Sequence, residues 1–200
     1  MILVFDTETT GLPNFKARSA DPVQPHLVQL ALVTYADDGA EVEATSVIIR
    51  PDGWTIPDEM TAIHGISHEQ AMDEGVPEAM AVEMYVLAQG RTATRVAHNE
   101  SFDRRIMRIA MTRAGLERDF IEAIEARSSY CTCNAAKPIL SLPPTDRMMA
   151  AGINSPKPPK LEECIKHFFD EDLPGAHDAL IDARACGRIY FHMQNPKAAA

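Results

Sequence analysis

The chain opens on an apolar run, Met1–Phe5, closed by an acid, Asp6. That pattern predicts a central strand buried on both faces that delivers a carboxylate at its C-terminal edge. Gly11 and Pro13 end the element. A second apolar stretch, His26–Tyr35, predicts another strand, and Asp37-Asp38-Gly39 supplies the turn into a third over Glu43–Arg50. From Pro57 to Gln89 the apolar positions, among them Ile63, Ile66, Met80, Met84 and Leu87, recur nearer to helical spacing than to alternation, so several short helices are expected. Thr94–His98 reads as a further strand. It feeds a helix capped by Asn99 or Ser101, whose apolar face carries Phe102, Ile106, Ile109 and Ala110 before Gly115. Prolines crowd residues 141–160, where a surface loop is expected because no long element can cross them. Two amphipathic helices follow, Lys160–Phe169 and Ala179–Met193, separated by Asp170–Gly175. Strands first, then alternating helix and strand, predict an α/β layer on a partly antiparallel sheet, one domain over residues 1–194 with a disordered tail at 195–200.

Composition narrows the setting. Two hundred residues with 46% hydrophobic content can bury a sizeable core, and no run approaches the ~18 apolar residues of a membrane span. With no basic leader before the first strand, a cytoplasmic protein without a membrane partner is the expectation, and Cys131, Cys133, Cys164 and Cys186 read as reduced thiols. A net charge of −10 argues against coating nucleic acid through many lysines and arginines. It leaves room for an enzyme that grips a chain end, because bound divalent cations invert the local charge of an acidic cluster.

Three segments carry candidate chemistry. Asp6 and Glu8 lie two apart, so strand alternation turns both carboxylates to one side, where they can hold hard cations. Asp103 falls in the first turn of the helix after Thr94–His98, a position that also suits an acid complementing the helix dipole. His177 and Asp182 straddle the start of the last helix, with Gly175 as a flexible entry and small Ala179 and Ala183 permitting close approach. A histidine there can act as a general base. Each of these groups alone has an ordinary reading as a solvated or capping side chain; their joint occurrence in this order changes the weight.

FDTETTG (Phe5–Gly11), HNESFD (His98–Asp103) and HDALIDA (His177–Ala183) resemble the three motifs of the DEDD exonuclease superfamily in its histidine variant, the DnaQ-like exonucleases. Ile63-His64-Gly65-Ile66-Ser67 is a smaller echo of the same family. The resemblance implies a ribonuclease H-like α/β fold, a mixed five-stranded sheet flanked by helices, with the acids converging at its centre. It also implies a 3′→5′ exonuclease that uses two divalent cations, Mg²⁺ or Mn²⁺. Asp6, Glu8, Asp103 and Asp182 would hold the cations, and His177 would take a proton from the attacking water to release a nucleoside 5′-monophosphate. Thr7, Thr9, Thr10, Leu12, His64 and Phe102 occupy positions that meet the terminal nucleotide in such enzymes, Thr7–Thr10 through main-chain donors. Phe102 has core packing as its alternative, and His64 a loop position bonded to backbone. Single-stranded DNA is the favoured substrate, with an RNA-trimming exoribonuclease as the alternative. A binding module that docks nucleic acid or a polymerase is the non-enzyme reading. A polymerase or replication partner, and a monomer or homodimer, are all compatible with the motifs.

Overall fold

The computed structural model describes residues 1–195. Five strands, β1 (Ile2–Thr9), β2 (Leu27–Tyr35), β3 (Glu41–Ile48), β4 (Thr94–Ala97) and β5 (Ser128–Cys131), form one mixed sheet in the order β3-β2-β1-β4-β5. The first three make an antiparallel meander, and β4 and β5 continue the sheet in parallel on the other side of β1. A parallel neighbour requires a crossover. The link from β3 to β4 supplies it through helices α1 (Asp58–His64), α2 (His68–Glu74) and α3 (Glu78–Arg91). Beyond β4 come α4 (Glu100–Arg113) and α5 (Arg118–Glu125), then β5, α6 (Thr132–Leu140), α7 (Asp146–Ala150), α8 (Leu161–Phe169) and α9 (Ala179–Gln194). This is the mixed, helix-flanked α/β architecture that the sequence predicts.

The apolar run of β1 is continuous because both faces of the sheet are covered. Leu3 and Phe5 pack with Leu30, Tyr85, Ile106 and Met107 on the side of α3 and α4. Ile2 and Val4 pack with Ala31, Val33, Val96 and Ala183 on the side of α9. The small residues of α9 let it lie close: a Cβ on Gly187 would stand 2.9 Å from the Tyr35 hydroxyl. Alternation along β1 then continues Ile2 and Val4 into Asp6 and Glu8 toward α9, and Leu3 and Phe5 into Thr7 toward α4.

β1 extends past its expected end at Asp6 to Thr9, because β2 pairs with it along its length, Asp6 opposite Ala31 and Glu8 opposite Gln29. On the other side, pairing with β4 ends at Val4 opposite Val96. The acidic half of β1 therefore faces a gap at the C-terminal ends of the parallel strands, where open α/β sheets gather their sites.

Several expectations shift. β3 starts and stops two residues before the predicted Glu43–Arg50, and Ile49 pairs separately with Val76. Asn99 does occupy the N-cap position of α4, but in the left-handed region (φ 65°) and without a side-chain cap bond, while Ser101 lies inside the helix. Residues 141–160 contain one short helix, α7, which Thr145 caps by accepting from the Met148 amide. The sequence reading placed no element at β5, whose Ser-Ser-Tyr-Cys carries no apolar run because it is a half-exposed edge strand. Of the expected tail, residues 196–200 lie outside the described residues. No described helix is long and apolar enough to cross a membrane.

Candidate active site

α4 is locked to the sheet by a buried ion pair. Arg95 on β4, 2% exposed, donates from Nε to Glu100 at 2.9 Å and from its other two nitrogens to the Ile124 and Glu125 carbonyls. With each of its three nitrogens hydrogen-bonded and Glu100 beside it, the charge is compensated where burial alone would be costly. One helical turn on, Asp103 points into the gap beside β1. Its Oδ1 accepts from both the amide (3.1 Å) and the hydroxyl (2.8 Å) of Thr7.

The third segment enters from the opposite end of the chain. His177, at φ 70°, occupies the left-handed region, which a non-glycine residue adopts at a cost. The strain is held by a closed turn: the His177 amide donates to Asp182 Oδ2 at 3.0 Å, and Asp178 caps α9 by accepting from the Leu180 and Ile181 amides. Gln29 then ties this turn to the sheet, accepting from the Ala179 amide at 3.0 Å and donating to Asp178 at 3.3 Å. Because Gln29 lies opposite Glu8, one β2 residue sets the distance between the β1 acids and the helix that carries Asp182. Neither Gln29 nor Asp178 was singled out from sequence. The signal available was one amide side chain in the otherwise apolar LVQLALV of β2.

Side-chain ligand atoms of Glu8, His177 and Asp182 lie within 4.8 Å of one another. Asp6 and Asp103 complete the cluster, and Asp6 and Glu8 feel the acids around them. Burial, then Asp103, Asp182, Glu8 and Asp178, raise Asp6 well above the ordinary range. Burial, then Asp182, Asp103 and Asp178, push Glu8 to about 8. Burial raises Asp103 to about 7 against the pull of the Thr7 hydrogen bonds, and Asp182 is raised chiefly by burial, opposed by the His177 amide. Asp182 Oδ1 is buried without a hydrogen-bond partner among the described residues. Such a set of crowded, dehydrated acids is short of positive charge, and its oxygen donors suit hard divalent cations.

The remaining predicted residues divide. Thr7 is committed to Asp103, and the Thr10 amide donates to the His26 carbonyl while its hydroxyl accepts from the His26 amide. Thr9 Oγ1 closes the turn at Gly11. Those Thr7 and Thr10 donors thus brace the site from within. Leu12 is 85% exposed at the rim, and Phe102 is half-buried against the α3–α4 core. His64 closes α1 instead of sitting in a loop. Its Nδ1 accepts from the Ile66 amide at 3.1 Å, its Nε2 has no partner among the described residues, and its pKa is lowered by burial and then by His177.

Comparison with known proteins bears on the fold and the family. Among curated proteins none matches the sequence. In fold the chain is similar to Escherichia coli exonuclease I in complex with a dT13 oligonucleotide (TM-score 0.74, 18% identity), over 98% of this chain and 42% of that one. It is similar also to the zinc-bound form of the E. coli exonuclease I complex with single-stranded DNA (0.72, 17%, 98% and 41%). The moderately thermophilic exonuclease I of Methylocaldum szegediense gives the same likeness (0.72, 20%, 99% and 41%). The chain thus spans about two fifths of the length of these structures. A family model described as Exonuclease, of the RNase T type, matches residues 3–190, and with it the chain belongs to the DnaQ-like 3′→5′ exonucleases of the DEDD superfamily.

Proposed function

We propose that this chain removes nucleotides from the 3′ end of single-stranded DNA, hydrolysing the terminal phosphodiester and releasing a nucleoside 5′-monophosphate. The observation that carries the reading is the meeting of Glu8, Asp182 and His177 within 4.8 Å, from opposite ends of the chain. The residues fit divalent cations: four carboxylates crowd one gap, and one buried oxygen of Asp182 lacks a partner. Asp6, Glu8, Asp103 and Asp182 would hold two ions, Mg²⁺ or Mn²⁺ by their preference for oxygen. When bound, such ions supply the positive charge that stabilises the attacking and leaving oxygens of an in-line displacement.

His177 stands exposed at the mouth of the cluster with its backbone fixed by Asp182, so its ring reaches the solvent side of the gap. There it takes the proton of a water that attacks the terminal phosphorus. The bond from phosphorus to the 3′ oxygen of the preceding nucleotide breaks, leaving that nucleotide with a 3′-hydroxyl. Support for DNA comes from exonuclease I, whose structure was solved with a dT13 oligonucleotide.

The test is digestion of matched 5′-labelled DNA and RNA single strands with Mg²⁺ or Mn²⁺, beside EDTA and Asp6→Ala controls. A ladder shortening from the 3′ end and lost in both controls is expected. Internal cuts, or cleavage that survives EDTA, would sink the reading, and faster loss of RNA would move the substrate to the ribose series.

A further inference from the structure

A groove with a volume of about 900 Å³ lies between α4, α5 and the loop that follows β1. In a chain of net charge −10, five of the 13 arginines line it: Arg18, Arg104, Arg105, Arg108 and Arg118. Glu125 is the single acid on its lining. On α4 the lining positions Ser101, Arg104, Arg105, Arg108 and Thr112 follow the spacing of one helical face, a strip of about 16 Å at ~1.5 Å per residue. Asp103 interrupts this run and points the other way, into the gap beside β1.

The charges are only partly spent. Arg108 pairs with Glu125, and Arg118 with Glu122 at 2.7 Å. Arg104 comes no closer than 3.4 Å to Glu100, which Arg95 already holds, and its Nε has no hydrogen-bond partner among the described residues. Among the described residues Arg105 donates only to neutral groups, Ser19 Oγ at 3.0 Å and the Ala17 and Asn14 carbonyls, and burial and Arg108 hold its pKa below the ordinary range. Exposed Arg18 makes no ion pair among the described residues. Phe15 lies 63% exposed on the rim.

Planar guanidinium forks on a curved wall match a run of phosphates, and an exposed ring beside them offers a face for a base. The α4 wall begins at Ser101, two residues before Asp103, and the other wall begins at Phe15, in the loop that leaves β1 after Glu8, so the groove is continuous in chain with two of the three acidic segments. We infer that this arginine groove holds the phosphodiester backbone of the substrate strand, 5′ of the nucleotide being removed. The inference rests on the function proposed above and assigns its substrate path. A net-acidic protein thereby grips a polyanion on one strip.

The test compares the wild type with Arg18→Ala/Arg104→Ala on two substrates, a twelve-nucleotide single strand and thymidine 5′-(4-nitrophenyl) phosphate, which has no strand to guide. The double variant should lose tenfold or more in kcat/KM on the strand and keep the wild-type value on the small diester. The slope of log Kd against log salt for a fluorescein-labelled strand, read by anisotropy in EDTA, should become shallower by about 1.4, from about 0.7 for each lost phosphate contact. Equal losses on both substrates, or an unchanged salt slope, would overturn the groove. If neither substrate is hydrolysed by the wild type and the slope still depends on the arginines, the exonuclease reading fails and the groove stands.

Discussion

In the proposed mechanism His177 takes the proton of the attacking water, and its backbone decides how that role is tested. In the left-handed region an alanine brings strain of about 1–2 kcal/mol, whereas asparagine tolerates that conformation. His177→Asn therefore removes the base while keeping the turn that holds Asp182. We expect turnover to fall by about 10²–10⁴-fold, the usual contribution of a positioned base, with Mn²⁺ binding by calorimetry retained. Loss of Mn²⁺ binding together with turnover would instead make His177 a ligand, a role its place within 4.8 Å of Glu8 and Asp182 also permits. Asp6→Ala should lose both, since Asp6 feels every other acid of the cluster.

At the scale of elements, the site depends on how α9 is seated on the sheet, and Gln29 is the seat. Gln29→Leu leaves the buried Ala179 amide without an acceptor, a loss of about 1–3 kcal/mol. It should lower the melting temperature and raise the Mn²⁺ concentration needed for half-maximal activity, both read in one metal titration series. An unchanged metal requirement would mean that α9 is held by its packing alone. This is also where sequence reading stops. Asp6, Glu8, Asp103, His177 and Asp182 were legible because their spacing is local to each motif, and the structure brings all three segments to one gap. The Gln29 bridge, the Thr7 bonds to Asp103 and the arginine groove join residues far apart in sequence, and no local pattern announces them. β5 was missed for the same reason: an edge strand of polar residues takes its identity from its neighbour β4. Asn99 takes the N-cap position as expected but without a side-chain cap bond, and the buried Arg95–Glu100 pair ties down the start of α4.

Taken as a whole, the metal-free molecule carries a repulsive centre, and its stability should report that. Glu8 and Asp103 hold protons in the folded state up to about 8 and about 7, above the ordinary 4.5 and 3.8 they recover on unfolding. Between these values the folded form binds more protons than the unfolded one, so stability falls as pH rises through that window. In EDTA the melting temperature should drop from about pH 5 to about pH 8, and saturating Mn²⁺ should remove much of the drop, because positive charge reverses the cost of ionising the acids. A flat profile in EDTA would deny that these carboxylates are crowded in the folded protein.

The central claim, that this cluster drives water onto the terminal phosphorus of a 3′ end, is tested most directly by digesting a single strand in heavy-oxygen water and weighing the released mononucleotide. The account predicts a nucleoside 5′-monophosphate carrying one heavy oxygen on its phosphate, from the first turnover and only with a divalent cation. Unlabelled mononucleotide, 3′-phosphate products or internal fragments would contradict it.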